Sequence, residues 1–142
     1  MTNTIKESAS GLALQVTEPA RSAGLVEETS EGDATRHADV WVYGFDKLLV
    51  VIDDERVEVD HRAELVAAAA GDSESIYGGH RATVSDAGNG YQVQLPGCED
   101  AGLRLGDRAP VVPRPGLLVI HDGTQTRLAE DLASIRESQV SR

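Results

Sequence analysis

Gln15-Val16-Thr17-Glu18-Pro19-Ala20-Arg21-Ser22-Ala23-Gly24-Leu25 is answered later in the chain by Gln92-Val93-Gln94-Leu95-Pro96-Gly97-Cys98-Glu99-Asp100-Ala101-Gly102-Leu103. Each stretch ends a strand-like segment, then carries a proline, then a glycine followed by leucine. Proline suits the first turn of a helix, where its missing N–H costs nothing. Glycine suits the left-handed position that ends one. A Gly-Asp pair follows each stretch, Gly32-Asp33 and Gly106-Asp107. Glycine supplies the positive φ of a turn and aspartate accepts hydrogen bonds from turn N–H groups. Each copy then runs into a strand, a turn and a second apolar run. These runs are Leu48-Leu49-Val50-Val51-Ile52-Asp53 and Leu117-Leu118-Val119-Ile120-His121-Asp122. Two units of the same order in one chain imply two halves related by a pseudo-twofold axis.

Upstream of each stretch the pattern alternates. Leu12, Leu14 and Val16 stand against Ala13 and Gln15, and Tyr91, Val93 and Leu95 against Gln92 and Gln94. Such alternation marks a half-buried strand. Residues 4–8 and 12–16 therefore read as one strand pair, and residues 81–85 and 91–95 as its counterpart. Asp86-Ala87-Gly88-Asn89-Gly90 is rich in residues that tolerate turn geometry. Residues 38–43 with 48–52, and 109–112 with 117–120, read as two hairpins. Residues 61–70 read as a helix with Asp60 as its N-cap and Gly71 as its stop. Residues 126–138 read as another, with Leu128, Leu132 and Ile135 on one face, widened by Ala129 and Ala133. Residues 72–79 are polar and glycine-bearing, a linker. The chain divides into a first unit at 4–59, a helix and linker at 60–79, a second unit at 80–123 and a C-terminal helix at 124–142. The expected class is α+β, with duplicated ββαββ units forming one small barrel-like β core and a helix after each unit.

Composition narrows the function. The chain has 142 residues, 40% hydrophobic but only 4% aromatic, so its core must be mostly aliphatic. Its net charge is −11, and lysine occurs only at Lys6 and Lys47. An acid-rich, lysine-poor balance is typical of haloarchaeal-type, salt-loving cytoplasm. At molar salt the Debye length is only ~3 Å, so self-repulsion is nearly erased. At ordinary salt such charge opposes phosphate binding. The single cysteine, Cys98, excludes an internal disulfide and reads as a small buried thiol. Met1-Thr2-Asn3-Thr4-Ile5-Lys6 has no apolar signal core. No apolar run approaches the ~18 residues of a membrane span. A cytoplasmic protein without membrane contact is expected.

Catalytic and metal chemistry find little to stand on. His37, His61, His80 and His121 show no metal-ligand spacing. Asp53-Asp54-Glu55 with Glu58 and Asp60 reads as a solvated acidic surface. Gly78-Gly79-His80-Arg81 lacks the Gly-Lys-Ser/Thr of a phosphate loop. Ser10 and Ser85 have no histidine arranged beside them as a base. The expectation is no catalytic residue, no metal and no cofactor. Trp41, Tyr43 and Phe45 occupy alternate positions and so share one strand face. That face suits core packing against the first hairpin or, read functionally, the binding of a partner protein.

The order of strand, Pro-led turn of helix, Gly-Asp turn and apolar hairpin resembles the AbrB/MazE/SpoVT swapped-hairpin family. Residues 81–122 carry the best match, with Leu95-Pro96, Gly102-Leu103 and Leu105-Gly106-Asp107 in sequence. Residues 4–53 match more loosely. Related cradle-loop barrels, double-psi and RIFT among them, use similar units, and the sequence does not separate these weaves. Members of the swapped-hairpin family are normally homodimers, so two copies in one chain imply a single-chain pseudo-dimer, either monomeric or paired again as a homodimer. The resemblance implies a DNA-binding transcriptional regulator acting on double-stranded DNA. Lys6, Arg21, Arg81, Arg104 and Arg108 are the candidate contacts. The second copy departs from the family's basic pattern, because Gly97, Cys98, Glu99 and Asp100 follow Pro96. The alternative is a non-catalytic protein-interaction module on the same scaffold, with DNA binding lost. An enzyme of the cradle-loop class ranks third.

Overall fold

The computed structural model describes residues 2–8, 11–28, 34–71, 77–86, 90–96 and 98–141. Its centre is a closed barrel of eight antiparallel strands in the order β1-β2-β8-β7-β5-β6-β10-β9. These are β1 (Thr2–Ser8), β2 (Gly11–Gln15), β5 (Asp39–Phe45), β6 (Leu48–Asp53), β7 (Tyr77–Asp86), β8 (Tyr91–Gln94), β9 (Arg108–Arg114) and β10 (Leu117–His121). β3 (Val26–Glu28) and β4 (Ala34–His37) form a separate two-stranded sheet. Three helices complete the α+β architecture, α1 (Thr17–Ala23), α2 (Val59–Ala70) and α3 (Thr126–Ser141).

Closure removes every sheet edge from the barrel strands. It also sets two cores back to back. Leu49 and Val51 of β6, with Leu118 and Ile120 of β10, point into the barrel and meet Ile5, Leu14, Val40 and Val93. Leu48, Val50 and Ile52, with Leu117 and Val119, point outward beneath α2 and α3. There they meet Leu65 and Ala69 of α2 and Ala129 and Leu132 of α3. β6 and β10 are thus buried on both faces, which is why they are continuous apolar runs rather than alternating ones.

The hairpins interlock. β1-β2 lies between β9 and β8, and β5-β6 between β7 and β10. Exchanging β1, β2, β5 and β6 with β7, β8, β9 and β10 leaves the strand order unchanged. The registers obey the same exchange. Leu14 pairs with Val93 and Val50 with Val119. Val16 N–H donates to the Tyr91 carbonyl at 2.8 Å, and Leu95 N–H donates to the Leu12 carbonyl at 3.0 Å. Gly116 N–H donates to the Ala23 carbonyl at 2.8 Å, and Lys47 N–H to the Ala101 carbonyl at 2.6 Å. Each turn of the outer hairpins is therefore tied to the helical segment of the other half. Lys47 takes a positive φ of 61° there, matching the 73° of Gly116.

Several elements differ from the sequence expectation. α1 starts at Thr17, ahead of the proline, and ends on the left-handed Gly24, whose N–H reaches the Ala20 and Arg21 carbonyls. In the corresponding stretch of the second half, the described residues 98–102 form hydrogen-bonded turns instead of a helix, closed by Leu103 N–H to the Cys98 carbonyl at 2.9 Å. Only four residues separate Gly97 from Gly102, too few to repay helix nucleation. α2 begins at Val59, with Glu58 rather than Asp60 at its N-cap and no side-chain capping bond. β7 takes up Tyr77, Gly78 and Gly79 from the expected linker. Asp107 does accept a turn N–H, from Arg104 at 2.8 Å. Gly32-Asp33 lies outside the described residues. The carbonyl of Ala38 receives the Val84 N–H at 3.0 Å just as Asp107 receives that of Ile5 at 2.9 Å, so Ala38 is the counterpart of Asp107.

Candidate functional site

The most organised polar group on the barrel surface is built around Trp41. Outward-facing positions of β5 alternate with the buried Val40 and Val42, which places Trp41 and Tyr43 on the exterior, each half-buried. Trp41 lies directly opposite Arg81 on β7. The Arg81 guanidinium stands over the indole at 4.7 Å, and that of Arg62 from α2 at 5.0 Å. Asp54, just past β6, ties the group together. It accepts the indole N–H at 2.9 Å and an Arg81 N–H at 3.2 Å, and lies 3.6 Å from Arg62. The indole hydrogen bond first, then Arg81 and Arg62, hold the Asp54 carboxyl below its ordinary value, against a smaller opposing effect of desolvation. Each cation–π contact at such a half-exposed site is worth about 0.5–1 kcal/mol.

A bulge shapes the neighbouring surface. The β5-β7 register slips between Val42 and Tyr43, and Gly79 takes a φ of 85° there. A bulge of this kind bends the strand and re-aims the side chains beside it. A Cβ on Gly79 would stand 3.8 Å from the Tyr43 ring. Beyond Tyr43 opens a groove of about 440 Å³ between β5 and α2, lined by Tyr43, Val59, Arg62, Ala63, Val66 and Ala67. Val59, at its rim, is 68% exposed. Phe45 shares this strand face but is covered. It is 4% exposed and packs in the outer core under α2 and α3.

The five basic candidates fall into separate places. Arg81 is engaged by Trp41 and Asp54. Arg21, on α1, pairs with Glu18 at 2.6 Å and lies 5.8 Å from the Tyr91 ring centre. Lys6, Arg104 and Arg108 have their backbone positions along the β1-β9 seam, where Thr4 pairs with Arg108 and Gly106 N–H donates to the Ile5 carbonyl at 2.9 Å. Ile5 and Ala109 point inward, so Lys6 and Arg108 point outward. Sequence reasoning missed Arg62 because an arginine in an amphipathic helix reads as solvated. Only the approach of α2 to β5 gives it a role.

Other reactive groups are quiet. Cys98 is buried, and desolvation, followed by the charge of Glu99, pushes its thiol up to about 11. His121 is buried, accepts the Gly123 N–H at 3.0 Å on Nδ1, and is pulled below its ordinary value by burial. Among the described residues no group of three or more histidine, cysteine or acidic side chains is placed to hold a metal ion. Among them, too, no helix is long and apolar enough to cross a membrane. Comparison with models of known protein families, with curated proteins and with solved structures finds no match to this chain.

Proposed function

We propose that the chain is a fused pair of ββαββ units closed into one pseudo-twofold barrel, and that it serves as a non-catalytic protein-interaction module through its β5-α2 face. The duplication is supported by the exchange-symmetric strand order and by the paired hydrogen bonds of Val16 with Leu95 and of Gly116 with Lys47. Hairpins from the two halves alternate around the barrel, as swapped hairpins do, which supports the AbrB-like reading of the fold. The observation that carries the interaction reading is the Trp41 cluster opening onto the Tyr43 groove. An aromatic floor beside two guanidiniums is the composition of a protein-binding hot spot. The expected partner is an amphipathic acidic segment. Its apolar side chains would cover Val59 and Val66, and a carboxylate would meet Arg62 and Arg81.

Exposed positions allow a test that leaves the core alone. The full-length protein, used as bait in its native salt, should retain a stoichiometric partner whose binding segment is acidic and amphipathic. Val59→Asp should lower that affinity at least tenfold, while Arg108→Glu should leave it unchanged. Retention unaltered by Val59→Asp would sink the reading. The DNA-binding reading rests on the Lys6, Arg104 and Arg108 seam, and the same variants distinguish it. A salt-sensitive gel shift of a duplex from the protein's own promoter region, lost in Arg108→Glu and kept in Val59→Asp, would move the function to that seam.

A further inference from the structure

The two halves differ at one pair of equivalent positions, near the start of β2 and the start of β8. The hydrogen bonds of Val16 to Tyr91 and of Leu95 to Leu12 make Tyr91 the counterpart of Leu12. Those of Gly24 to Arg21, 3.2 Å, and of Gly102 to Glu99, 3.0 Å, make Arg21 the counterpart of Glu99. The same correspondence sets Gly90 against Gly11 and Thr17 against Pro96. Beside α1 this site is full. The Tyr91 ring is 5% exposed, with the Arg21 guanidinium 5.8 Å from its centre and the His37 ring at 5.9 Å. Thr17 Oγ1 accepts the Tyr91 N–H at 3.0 Å. Packing is so close that a Cβ on Gly90 would stand 2.1 Å from that oxygen.

At the equivalent place, where Leu12 faces Cys98 and Glu99, the site is hollow. Leu12 replaces the tyrosine, Pro96 the threonine and Glu99 the arginine. A Cβ added to Gly11 would meet nothing within 4 Å. A cavity of about 480 Å³ results, lined by Leu12, Gln94, Leu95, Pro96, Cys98 and Glu99, with Asp100 also at its wall. Its size falls within the range of small-molecule sites. Its floor is apolar, and the charge that stood over the aromatic ring is inverted. The negative field reaches the floor, where Glu99 and Asp100 both add to the rise of the Cys98 thiol.

From this contrast we infer that the cavity at Leu12 is a binding site for a small aromatic cation, an arylalkylamine in chemical class. Its ring would take the place that Tyr91 fills beside α1, and its ammonium would meet Glu99 and Asp100. The inference rests on the backbone hydrogen bonds and the cavity, and is independent of the β5-α2 face.

The probes are tyramine, its charge-inverted relative 4-hydroxyphenylacetate, and propylamine, which has the cation without the ring. Titrated calorimetrically into the full-length protein, tyramine should bind saturably at one site, and each of the others at least tenfold more weakly. Leu12→Tyr fills the cavity with the residue its counterpart uses. It should abolish tyramine binding while leaving thermal unfolding cooperative and no lower in midpoint. Glu99→Arg lies on the exposed rim and should reverse the preference between amine and acid. No saturable tyramine binding, or binding unchanged by a folded Leu12→Tyr, would overturn the proposal. Equal affinity for amine and acid would overturn its charge assignment. Binding of propylamine as tight as that of tyramine would overturn the role of the ring.

Discussion

Trp41 is the only tryptophan in the chain, so its fluorescence reports on one cluster alone. That cluster hangs on Asp54, whose carboxyl titrates below its ordinary 3.8 in the folded protein. A depressed carboxyl contributes stability that is present above the unfolded value and is lost as pH falls through the folded one. A fluorescence titration should therefore show a transition below pH 3.8, from the release of the indole N–H. Arg81→Ala should move its midpoint up toward 3.8 by removing a partner of the carboxylate. A midpoint unmoved by that change would mean that Arg81 does not act on Asp54. Half of this site was legible in the sequence. Trp41 and Tyr43 could be set on one strand face by alternation alone. Phe45 belongs to the same alternation but lies where α2 and α3 cover the sheet, and no local pattern tells where a distant helix ends. Arg62 was hidden for the same reason, because its role exists only after α2 docks on β5, and Asp54 because its partners Trp41 and Arg81 meet only once β7 pairs with β5.

α3 illustrates the scale of the element. Its apolar stripe was readable, and Ala129, Leu132 and Ala133 are indeed buried, with Leu128 and Ile135 half-buried beside them. Its strongest anchor was not readable, since it is an arginine. Arg136 is 5% exposed and donates to the Pro115 carbonyl at 2.6 Å, Gln139 Oε1 at 3.1 Å and the Arg56 carbonyl at 3.3 Å. Gln139 in turn donates to the His61 carbonyl at 3.0 Å and to Glu64 at 2.7 Å, so one helix end clamps the β9-β10 turn, the start of α2 and the segment between β6 and α2. Burial lowers the affinity of Arg136 for its proton, while Asp53 and Glu58 raise it again. Truncation to Arg136→Ala leaves two carbonyls without these donors and should cost about 2–4 kcal/mol in urea denaturation. Arg136→Lys should restore only part of this, because an ammonium cannot reproduce the planar fork. A loss below 0.5 kcal/mol, on the order of an ordinary surface change, would show that the clamp is idle. The same scale holds the clearest misreadings. β3 is short and rich in glutamate, so its strand character is masked by charge. The second Pro-led stretch shares the punctuation of α1 without enough residues between its glycines to make a helix.

At the scale of the molecule, the four hairpins were legible and their weave was not. Alternation and turns report on neighbours in sequence, whereas the pairing of β2 with β8, or of β1 with β9, joins residues from opposite halves. That weave has a direct test. A fragment of residues 1–71 owns two hairpins, each of which needs the other half on both flanks. Alone, it should give the collapsed NMR dispersion of an unfolded or aggregated chain. Mixed with a fragment of residues 72–142, it should recover dispersed resonances and a cooperative melt. A fragment that folds as a monomer by itself would refute the interlocked order. The interlock also has a consequence for synthesis. At ~5–20 residues per second, the second half takes about 4–14 s to follow the first out of the ribosome. During those seconds the apolar residues 48–52 of β6 have neither β10 nor α3 to cover them. Until β10 and α3 arrive, the nascent chain needs a chaperone, or the ribosome itself, to keep that exposed face from its neighbours.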